Sequence, residues 1–393
     1  MKPLQLLIMV LLYSKSSAMA FPRCVTNQIR PYSNILNKQN SLLSSAVRNY
    51  NKIPHSFPIM PPHQPYKIAT DGYSMSSFRL FSSSSFEAPP PPTSKGEPVY
   101  EDIDLEQTPE TLESIKRNKD PNAVFVVTGA SRGIGLQYVK SLLERTKGRI
   151  VACCRNPTSA TKLQDYLSAL PFSETSRIEI LELDVQDSNT ITELASHLKE
   201  EYDDRVDLLF NVAGVLGDGG ITTPGPERSL SKVDQKWLES TLQINLIGPM
   251  LLCQALTPMM ITNSRRNINK NEDNTTNPAI PRSKSVIVNL SARVGSISDN
   301  ELGGWYSYRV SKAALNQATR TMAHELKRQG IWSISLHPGT TDTDLSRPFQ
   351  RNVKEGRLFP VEFTVSQLLD VMEHMEESHS GGFYDWAGKA LPF

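Results

Sequence analysis

A glycine-rich turn between an apolar run and a helix-like segment constrains the fold of this chain more than any other feature. Residues 128–135 read Thr-Gly-Ala-Ser-Arg-Gly-Ile-Gly and follow the apolar run Ala123–Val127. Gly129 permits a tight turn, Gly133 lets the backbone approach a pyrophosphate, and Gly135 lets helix and strand pack closely. The helix would then present free N–H groups and its positive dipole end to phosphates. The turn therefore predicts a dinucleotide site.

Apolar strand-like runs alternate with helix-like segments along the rest of the chain. One helix continues over Tyr138–Leu143, and another has its apolar residues at Ile191, Leu194 and Leu198. The strand-like runs are Ala123–Val127, Arg149–Cys154, Arg177–Leu183, Val206–Phe210, Ser285–Leu290 and Trp332–Leu336. Because this alternation is typical of βαβ units, it predicts an α/β fold with a doubly wound parallel sheet, a Rossmann fold.

The domain organisation follows from where this alternation begins and where it is interrupted. Residues 121–393 are predicted to form a single catalytic domain that is long enough to bury a sizeable core. Within it, residues 262–284 contain six asparagines, mixed charges and two prolines. We interpret this segment as a surface loop inserted between a helix and the fifth strand.

The start of the chain has the three parts of a secretory signal peptide, which we assign to residues 1–20. Lys2 supplies the positive end, Leu4–Leu12 is a short apolar run, and small residues precede Phe21. The apolar run is too short to span a bilayer as a helix.

The segment that follows has the composition of a transit peptide. Residues 21–85 are rich in Ser, Asn, Pro and Arg, and eight Lys and Arg precede Asp71, the first acidic residue. Such a segment is predicted to be disordered on its own. Residues 86–120, with a proline run and then acidic residues, are predicted to be a flexible linker to the domain.

The leader suggests an organelle but leaves its identity open. Its order resembles the two-part leader of algae whose plastids lie inside extra membranes, in which a Phe such as Phe21 often follows the first cleavage site. Residues Arg79–Ser82, Arg-Leu-Phe-Ser, instead resemble a mitochondrial processing site. We predict the plastid first, the mitochondrion as the alternative, and the cytoplasm if the leader does not function.

Charge and composition exclude several classes of partner. The net charge of +1 gives no electrostatic reason to expect nucleic acid or, for the mature form, a membrane. The cysteines show no CxxC spacing, and Cys153–Cys154 lies in an apolar run, which favours buried thiols over disulfides. Because no His/Cys/Asp/Glu cluster has ligand spacing, we predict no metal.

A tyrosine and a lysine four residues apart are the candidate acid–base pair. A spacing of four places Tyr308 and Lys312 on one face of a helix. A tyrosine hydroxyl ordinarily titrates near 10, and we expect the Lys312 ammonium and a positive nicotinamide to lower the pKa of Tyr308. Tyr308 could then exchange a proton with an alkoxide as hydride is transferred.

Three motifs together resemble the short-chain dehydrogenase/reductase family. They are Thr-Gly-x-x-x-Gly-x-Gly at 128–135, Asn211-Val212-Ala213-Gly214 and Tyr308-x-x-x-Lys312. The resemblance implies strand order 3-2-1-4-5-6-7 and a nicotinamide cofactor across the carboxyl edge of the sheet. It implies cofactor contacts from Thr128, Gly129, Ser131, Arg132, Gly133, Ile134, Gly135, Arg155, Asp184, Asn211, Ala213, Gly214, Tyr308, Lys312, Pro338, Gly339 and Thr343.

Two further site residues are implied by the same resemblance. Asn245 matches an asparagine that bends its helix and holds a water behind the lysine. Most relatives have Ser-Ser after the fifth strand, where this chain has Ser291-Ala292. Ser291 would face the opposite side of an ideal strand, but a bulge could turn it toward the site. We assign it to polarise the substrate carbonyl, with Ser296 as the alternative.

The cofactor is predicted to be NADP rather than NAD. An NAD site usually has a carboxylate after the second strand, where this chain has Cys154-Arg155-Asn156. Arg155 and Arg132 are suited to bind a 2′-phosphate, although both could also be solvated surface arginines.

Within the family, the chain most resembles C-factor-like and sniffer-like carbonyl reductases. The residues that carry this resemblance are Arg293–Ile297, Gly303–Arg309 and Gly382–Trp386. The last of these segments is expected to form the final strand. Trp305 and Tyr306 either line the substrate opening or pack in the core.

We expect a carbonyl reductase for an aldehyde or ketone. The alternative is an NADP(H)-binding regulator with little turnover. Homodimers or homotetramers are common among relatives, but relatives with long insertions are sometimes monomers, so the inserted loop leaves the oligomeric state open.

Overall fold

A seven-stranded parallel sheet forms the middle of the fold. The computed structural model describes residues 99–106, 109–262 and 282–393. The strands are β1 Val124–Thr128, β2 Arg149–Cys154, β3 Ile178–Glu182, β4 Leu208–Asn211, β5 Ser285–Leu290, β6 Ile331–His337 and β7 Phe383–Asp385. Their order is 3-2-1-4-5-6-7 and every neighbouring pair is parallel. The predicted doubly wound sheet and its order are confirmed.

The central strands form because their side chains are buried on both faces. All of β1 is buried, and its Val-Phe-Val-Val run is typical of a strand covered on two sides. Phe125 and Val127 belong to one hydrophobic cluster, whereas Val124 and Val126 belong to the other. The alternation of side chains along the strand thus supplies both halves of the core.

Helices cover the two faces of the sheet. They are α1 Leu112–Lys119, α2 Gly133–Arg145, α3 Thr161–Ser168, α4 Phe172–Thr175, α5 Ser188–Glu201, α6 Gln235–Leu242, α7 Gly248–Met260, α8 Tyr306–Leu326 and α9 Val361–His374. Buried residues of α2, α3 and α9 pack in one cluster, and those of α5 and α7, with Leu326 of α8, pack in the other. None of the helices in the described residues is long and apolar enough to cross a membrane.

The outer side of β7 is covered by residues that follow it. The Leu391 N–H donates to the Phe383 carbonyl at 2.7 Å, and the Asp385 N–H donates to the Lys389 carbonyl at 2.9 Å. Tyr384 and Ala390 form an antiparallel bridge. The last strand, expected from the aromatic run near residue 383, is confirmed.

The structure corrects the prediction of a flexible linker over residues 86–120, because the second part of this segment packs against the domain. Ile103 is buried in the core, and α1 begins after Thr111, whose hydroxyl oxygen accepts the Ser114 N–H. The guanidinium of Arg117 is buried and donates to the Lys284 carbonyl. These contacts make the segment part of the domain.

Two other predictions concern parts of the chain that the structure does not describe. The signal peptide and the transit-peptide-like leader, 1–20 and 21–85, lie outside the described residues. Most of the inserted loop predicted over 262–284 does so as well, since the structure resumes at residue 282.

Candidate active site

A cavity of about 480 Å³ opens at the carboxyl edge of the sheet, where the ends of β1 to β6 meet the loops that follow them. Most of the predicted site residues border it: Thr128, Gly129, Ser131, Arg132, Gly133, Ile134, Gly135, Arg155, Asp184, Ala213, Gly214, Ser291, Tyr308, Lys312, Pro338 and Thr343. The fold therefore brings together the glycine turn and the Tyr–Lys pair, which are far apart in sequence.

The glycine turn has the geometry that its sequence predicts. Gly129 has a φ of +68°, a backbone conformation that side chains disfavour. A Cβ on Gly135 would lie 2.3 Å from the Gly129 carbonyl oxygen, so only glycine fits there. The Thr128 hydroxyl oxygen accepts the N–H groups of Val212 and Ala213, each at 3.0 Å. The turn after β1 is thereby fixed to the end of β4.

The two arginines predicted to bind a 2′-phosphate lie on the rim of the cavity. Arg155 is exposed, and the Arg132 side chain is 64% exposed. Arg132 forms a long ion pair with Asp344, 3.7 Å between Nη1 and Oδ2, and Asp344 also binds Arg347 at 2.8 Å. Both arginines can therefore reach an anion at the adenosine end.

Tyr308 and Lys312 lie one turn apart on α8. The Lys312 ammonium donates to the Leu290 carbonyl oxygen at 2.7 Å and lies 5.7 Å from the centre of the Tyr308 ring. Burial lowers the pKa of Lys312 to about 8 and raises the pKa of Tyr308 above its ordinary value. The expected lowering of the Tyr308 pKa includes the charge of a bound nicotinamide and stays a prediction; in the protein alone burial dominates, and the Lys312 ammonium is directed at Leu290.

Asn245 lies in a π-helical segment, Gln243–Ile247, between α6 and α7. Its side-chain oxygen accepts the Val215 N–H at 2.8 Å. Its amide nitrogen donates to the Val215 carbonyl at 2.9 Å and to the Ser311 hydroxyl at 3.1 Å. Asn245 therefore does not border the cavity, but it joins the loop after β4 to the helix that carries Tyr308 and Lys312.

The hydroxyl of Ser291 forms a hydrogen bond with Asn316, a residue that no sequence motif singles out. Ser291 borders the cavity but is buried, and its Oγ donates to Asn316 Oδ1 at 2.6 Å. A serine hydroxyl has one hydrogen, so this geometry does not support the prediction that Ser291 polarises the carbonyl. Ser296 accepts the Asp299 N–H and lies outside the cavity lining.

Two residues that were expected to contact the cofactor, Asn211 and Gly339, do not border the cavity. Asn211 is buried in the sheet, where its amide nitrogen donates to Asn289 Oδ1 at 2.9 Å and contacts the Cys253 sulfur. Gly339 lies behind the lining, since a Cβ there would meet the rings of Phe359 and Trp386. Asn211 therefore cross-links β4 and β5, and Gly339 allows the loop after β6 to pack.

Aromatic rings pack beside Tyr308. Trp305 packs with its ring centre 6.3 Å from that of Tyr308 and 5.4 Å from that of Phe349. The cavity lining also contains residues that no sequence motif singles out: Leu216, Gly217, Asp218, Thr223, Trp237, Leu345 and Pro348. These positions could be predicted only from the motifs beside them in sequence, because the loops that contain them have no periodicity.

Neither a metal site nor a disulfide is present among the residues that the structure describes. No group of three or more His, Cys, Asp or Glu could hold a metal ion there. Cys153, Cys154 and Cys253 are free and buried, and burial raises the pKa of each thiol.

Comparison with known sequences finds a family model and curated relatives that match this chain. The family model for short chain dehydrogenase matches residues 123–270 and 273–354. C-signal of Myxococcus xanthus is 30% identical over 188 residues, which cover 48% of this chain and 93% of C-signal.

Two solved structures show the same fold over nearly their whole length. The NADPH-bound carbonyl reductase from chicken fatty liver is 30% identical, with a TM-score of 0.57 over 69% of this chain and 99% of that one. The carbonyl reductase Sniffer of D. melanogaster is 29% identical, with a TM-score of 0.56 and the same coverage.

Proposed function

Because the chain belongs to the short-chain dehydrogenase family, a family of oxidoreductases, we propose that it interconverts an aldehyde or ketone with its alcohol, using NADP. The observation that carries the proposal is that Tyr308 and Lys312 border the same cavity as the glycine turn. When bound, NADPH supplies the hydride. The protein's own residues must then hold the cofactor and supply a proton.

The residues that border the cavity fit a dinucleotide. The start of α2 has no side-chain cap within the described residues, so its first N–H groups are available to a pyrophosphate. Asp184 and Lys312 border the same cavity, and we assign Asp184 to contact the adenine ring and Lys312 to hold the ribose hydroxyls.

The preference for NADP rests on charge. Residues 155–156, directly after β2, contain no carboxylate to accept a ribose hydroxyl, whereas Arg132 and Arg155 offer two guanidinium groups. The chicken carbonyl reductase, a 30% identical relative, is described as NADPH-bound, which supports the same choice.

Tyr308 is the proton donor that we assign for reduction. Its raised pKa keeps the phenol protonated at neutral pH, so it can give a proton to the oxygen that gains negative charge. Because the Ser291 proton is used by Asn316, Tyr308 also carries the task of polarising the carbonyl.

The test is turnover of NADPH with a panel of aldehydes and ketones, followed at the absorbance band of the reduced nicotinamide. Tyr308→Phe should lower kcat by about a thousandfold while the protein still binds NADPH. NADPH should bind at least about tenfold more tightly than NADH, which is about 1.4 kcal/mol. Equal turnover by Tyr308→Phe would overturn the mechanism, and equal affinities would overturn the cofactor assignment.

A regulatory protein that binds NADP(H) is the second candidate. The similarity to C-signal and the occupied Ser291 hydroxyl favour it. The presence of both Tyr308 and Lys312 favours the enzyme, since a binding protein needs no acid–base pair. Tight NADPH binding without reduction of any carbonyl would select the regulator.

A further inference from the structure

The carboxylate of Glu227 is buried at the start of α8, although no step assigned to Tyr308 or Lys312 uses it. Glu227 lies on the loop between β4 and α6 and is 1% exposed. One carboxylate oxygen accepts the Ser307 N–H at 3.1 Å, and the other accepts the Ser307 O–H. Ser307 directly precedes Tyr308, so the carboxylate is bound to the neighbour of the proposed proton donor.

The start of α8 depends on Glu227 for its hydrogen bonds. The first N–H groups of a helix have no partner within the helix. The residue before α8, Trp305, has φ 56° and ψ 41° and provides no side-chain cap. Its own N–H donates to the Glu227 carbonyl at 2.5 Å. A carboxylate is also favoured at the positive end of the helix dipole. Glu227 thus takes the place of a local cap from eighty residues away in sequence.

The loop that carries Glu227 also forms part of the cavity. Gly217, Asp218 and Thr223 border the cavity, and a Cβ on Gly217 would lie 2.0 Å from the Gly225 carbonyl oxygen. This close approach fixes the loop directly before Glu227. One side chain therefore connects a loop that borders the cavity to the helix that carries Tyr308 and Lys312.

We propose that Glu227 is a positioning residue that holds the first turn of α8 and thereby sets the Tyr308 phenol in the cavity. Tyr308 is the third residue of that helix, whereas Lys312 lies a full turn deeper. Loss of the anchor would displace Tyr308 and leave Lys312 and the glycine turn in place. The inference rests on the proposed oxidoreductase function, because it assigns Tyr308 the proton transfer.

The experiment compares Glu227→Ala and Glu227→Gln with Glu373→Gln. Glu373 is a matched control, because it is also buried, accepts hydrogen bonds from Asn118 and Arg145, and lies outside the cavity lining. We expect Glu227→Ala to lower kcat by about tenfold or more, since small misplacements of reacting groups are costly. The Kd for NADPH should stay within about twofold.

The two other variants separate positioning from stability. Glu227→Gln keeps one acceptor oxygen and should recover most of the lost kcat. Glu373→Gln should lower the melting temperature while kcat stays within about twofold of the wild type. If Glu227→Ala lowers only the melting temperature, or if kcat and NADPH affinity fall together, the inference is wrong.

Amide hydrogen exchange provides a readout that needs no turnover. Exchange over residues 305–309 should quicken in Glu227→Ala and not in Glu373→Gln. If the wild-type protein reduces no carbonyl, the proposed function is wrong, and the exchange result alone decides whether Glu227 holds this turn. Unchanged exchange in Glu227→Ala would overturn the anchoring role in either case.

Discussion

At the amino edge of the sheet, where the strands begin, Asp207 is fully buried and surrounded by donors. Its carboxylate accepts bonds from Arg205 at 2.7 Å, from Arg282 at 3.0 Å and from the Val124 N–H at 2.9 Å. Arg205 also binds Asp120 at 2.6 Å. These four charges are paired with one another within the protein.

At the carboxyl edge, by contrast with this ion-pair cluster, some buried side-chain groups of the described residues lack a hydrogen-bond partner. Within the described part of the chain, Asn316 Nδ2 and Asn211 Oδ1 are buried without a hydrogen-bond partner. Lys312 has a pKa lowered to about 8 because its ammonium is buried. Unsatisfied buried groups cost stability. The Asp207 cluster therefore contributes stability, whereas these groups at the carboxyl edge cost stability.

The largest effect is expected from breaking the amino edge. Asp207→Ala leaves Arg205 and Arg282 without their shared carboxylate, which should lower the free energy of unfolding by about 3–5 kcal/mol. Chemical denaturation measures this loss, and kcat of the folded protein should hold. Asp102→Ala, which removes an exposed ion pair with Lys389 and a hydrogen bond from the Ala390 N–H, is the control and should cost far less. A loss from Asp207→Ala no greater than that of the control would refute the contrast.

At the carboxyl edge, a substitution is expected to raise the free energy of unfolding instead of lowering it. Lys312→Met removes a buried ammonium, so activity should vanish while the protein becomes more stable. A pKa lowered from 10.5 to about 8 corresponds to about 3 kcal/mol.

The stability gained by Lys312→Met should decrease as the pH rises. Below pH 8 the lysine is protonated in both the folded and unfolded states, so the full cost is present there. As pH rises from about 8 to 10.5, the folded state loses the proton first and the cost disappears. The advantage of Lys312→Met in thermal unfolding should shrink over that range. A variant less stable than the wild type at neutral pH would contradict this.

The smallest effect is expected at the Ser291–Asn316 pair. Ser291→Ala should change kcat by less than about threefold, because its proton is donated to Asn316. In a double-mutant cycle, Ser291→Ala and Asn316→Leu should show a coupling of about 1 kcal/mol in stability. Ser296→Ala serves as the control for kcat. A hundredfold loss on Ser291→Ala would restore Ser291 as the group that polarises the carbonyl.

The strands and the core of the site could be predicted because their signals are local. Arg149–Cys154 and Ser285–Leu290 were predicted with the bounds observed, since each is a short apolar run between turns. The glycine turn and the Tyr–Lys pair likewise depend on spacing within a few residues.

The remaining features depend on contacts that no local pattern reveals. Glu227 meets Ser307 only after the sheet brings their loops together, and α1 is held by contacts with the distant residues Lys284 and Glu373. The direction of the Tyr308 pKa shift depends on burial and on where the Lys312 ammonium is directed. Asn316 follows Lys312 by four residues, a spacing that could have marked it.

The covering of β7 has a consequence for contacts between molecules. An uncovered edge strand presents free N–H and C=O groups on which another chain can extend the sheet. At β7, the carbonyl of Phe383 and the N–H of Asp385 are already paired with Leu391 and Lys389. At the opposite edge, β3 ends in the exposed Glu182, whose charge disfavours the approach of a second strand, whereas the carboxylate of Glu179 is bound by Tyr202 and contacted by His197. Both margins of the sheet thus discourage aggregation by strand addition, and copies that associate would have to meet through helices or loops.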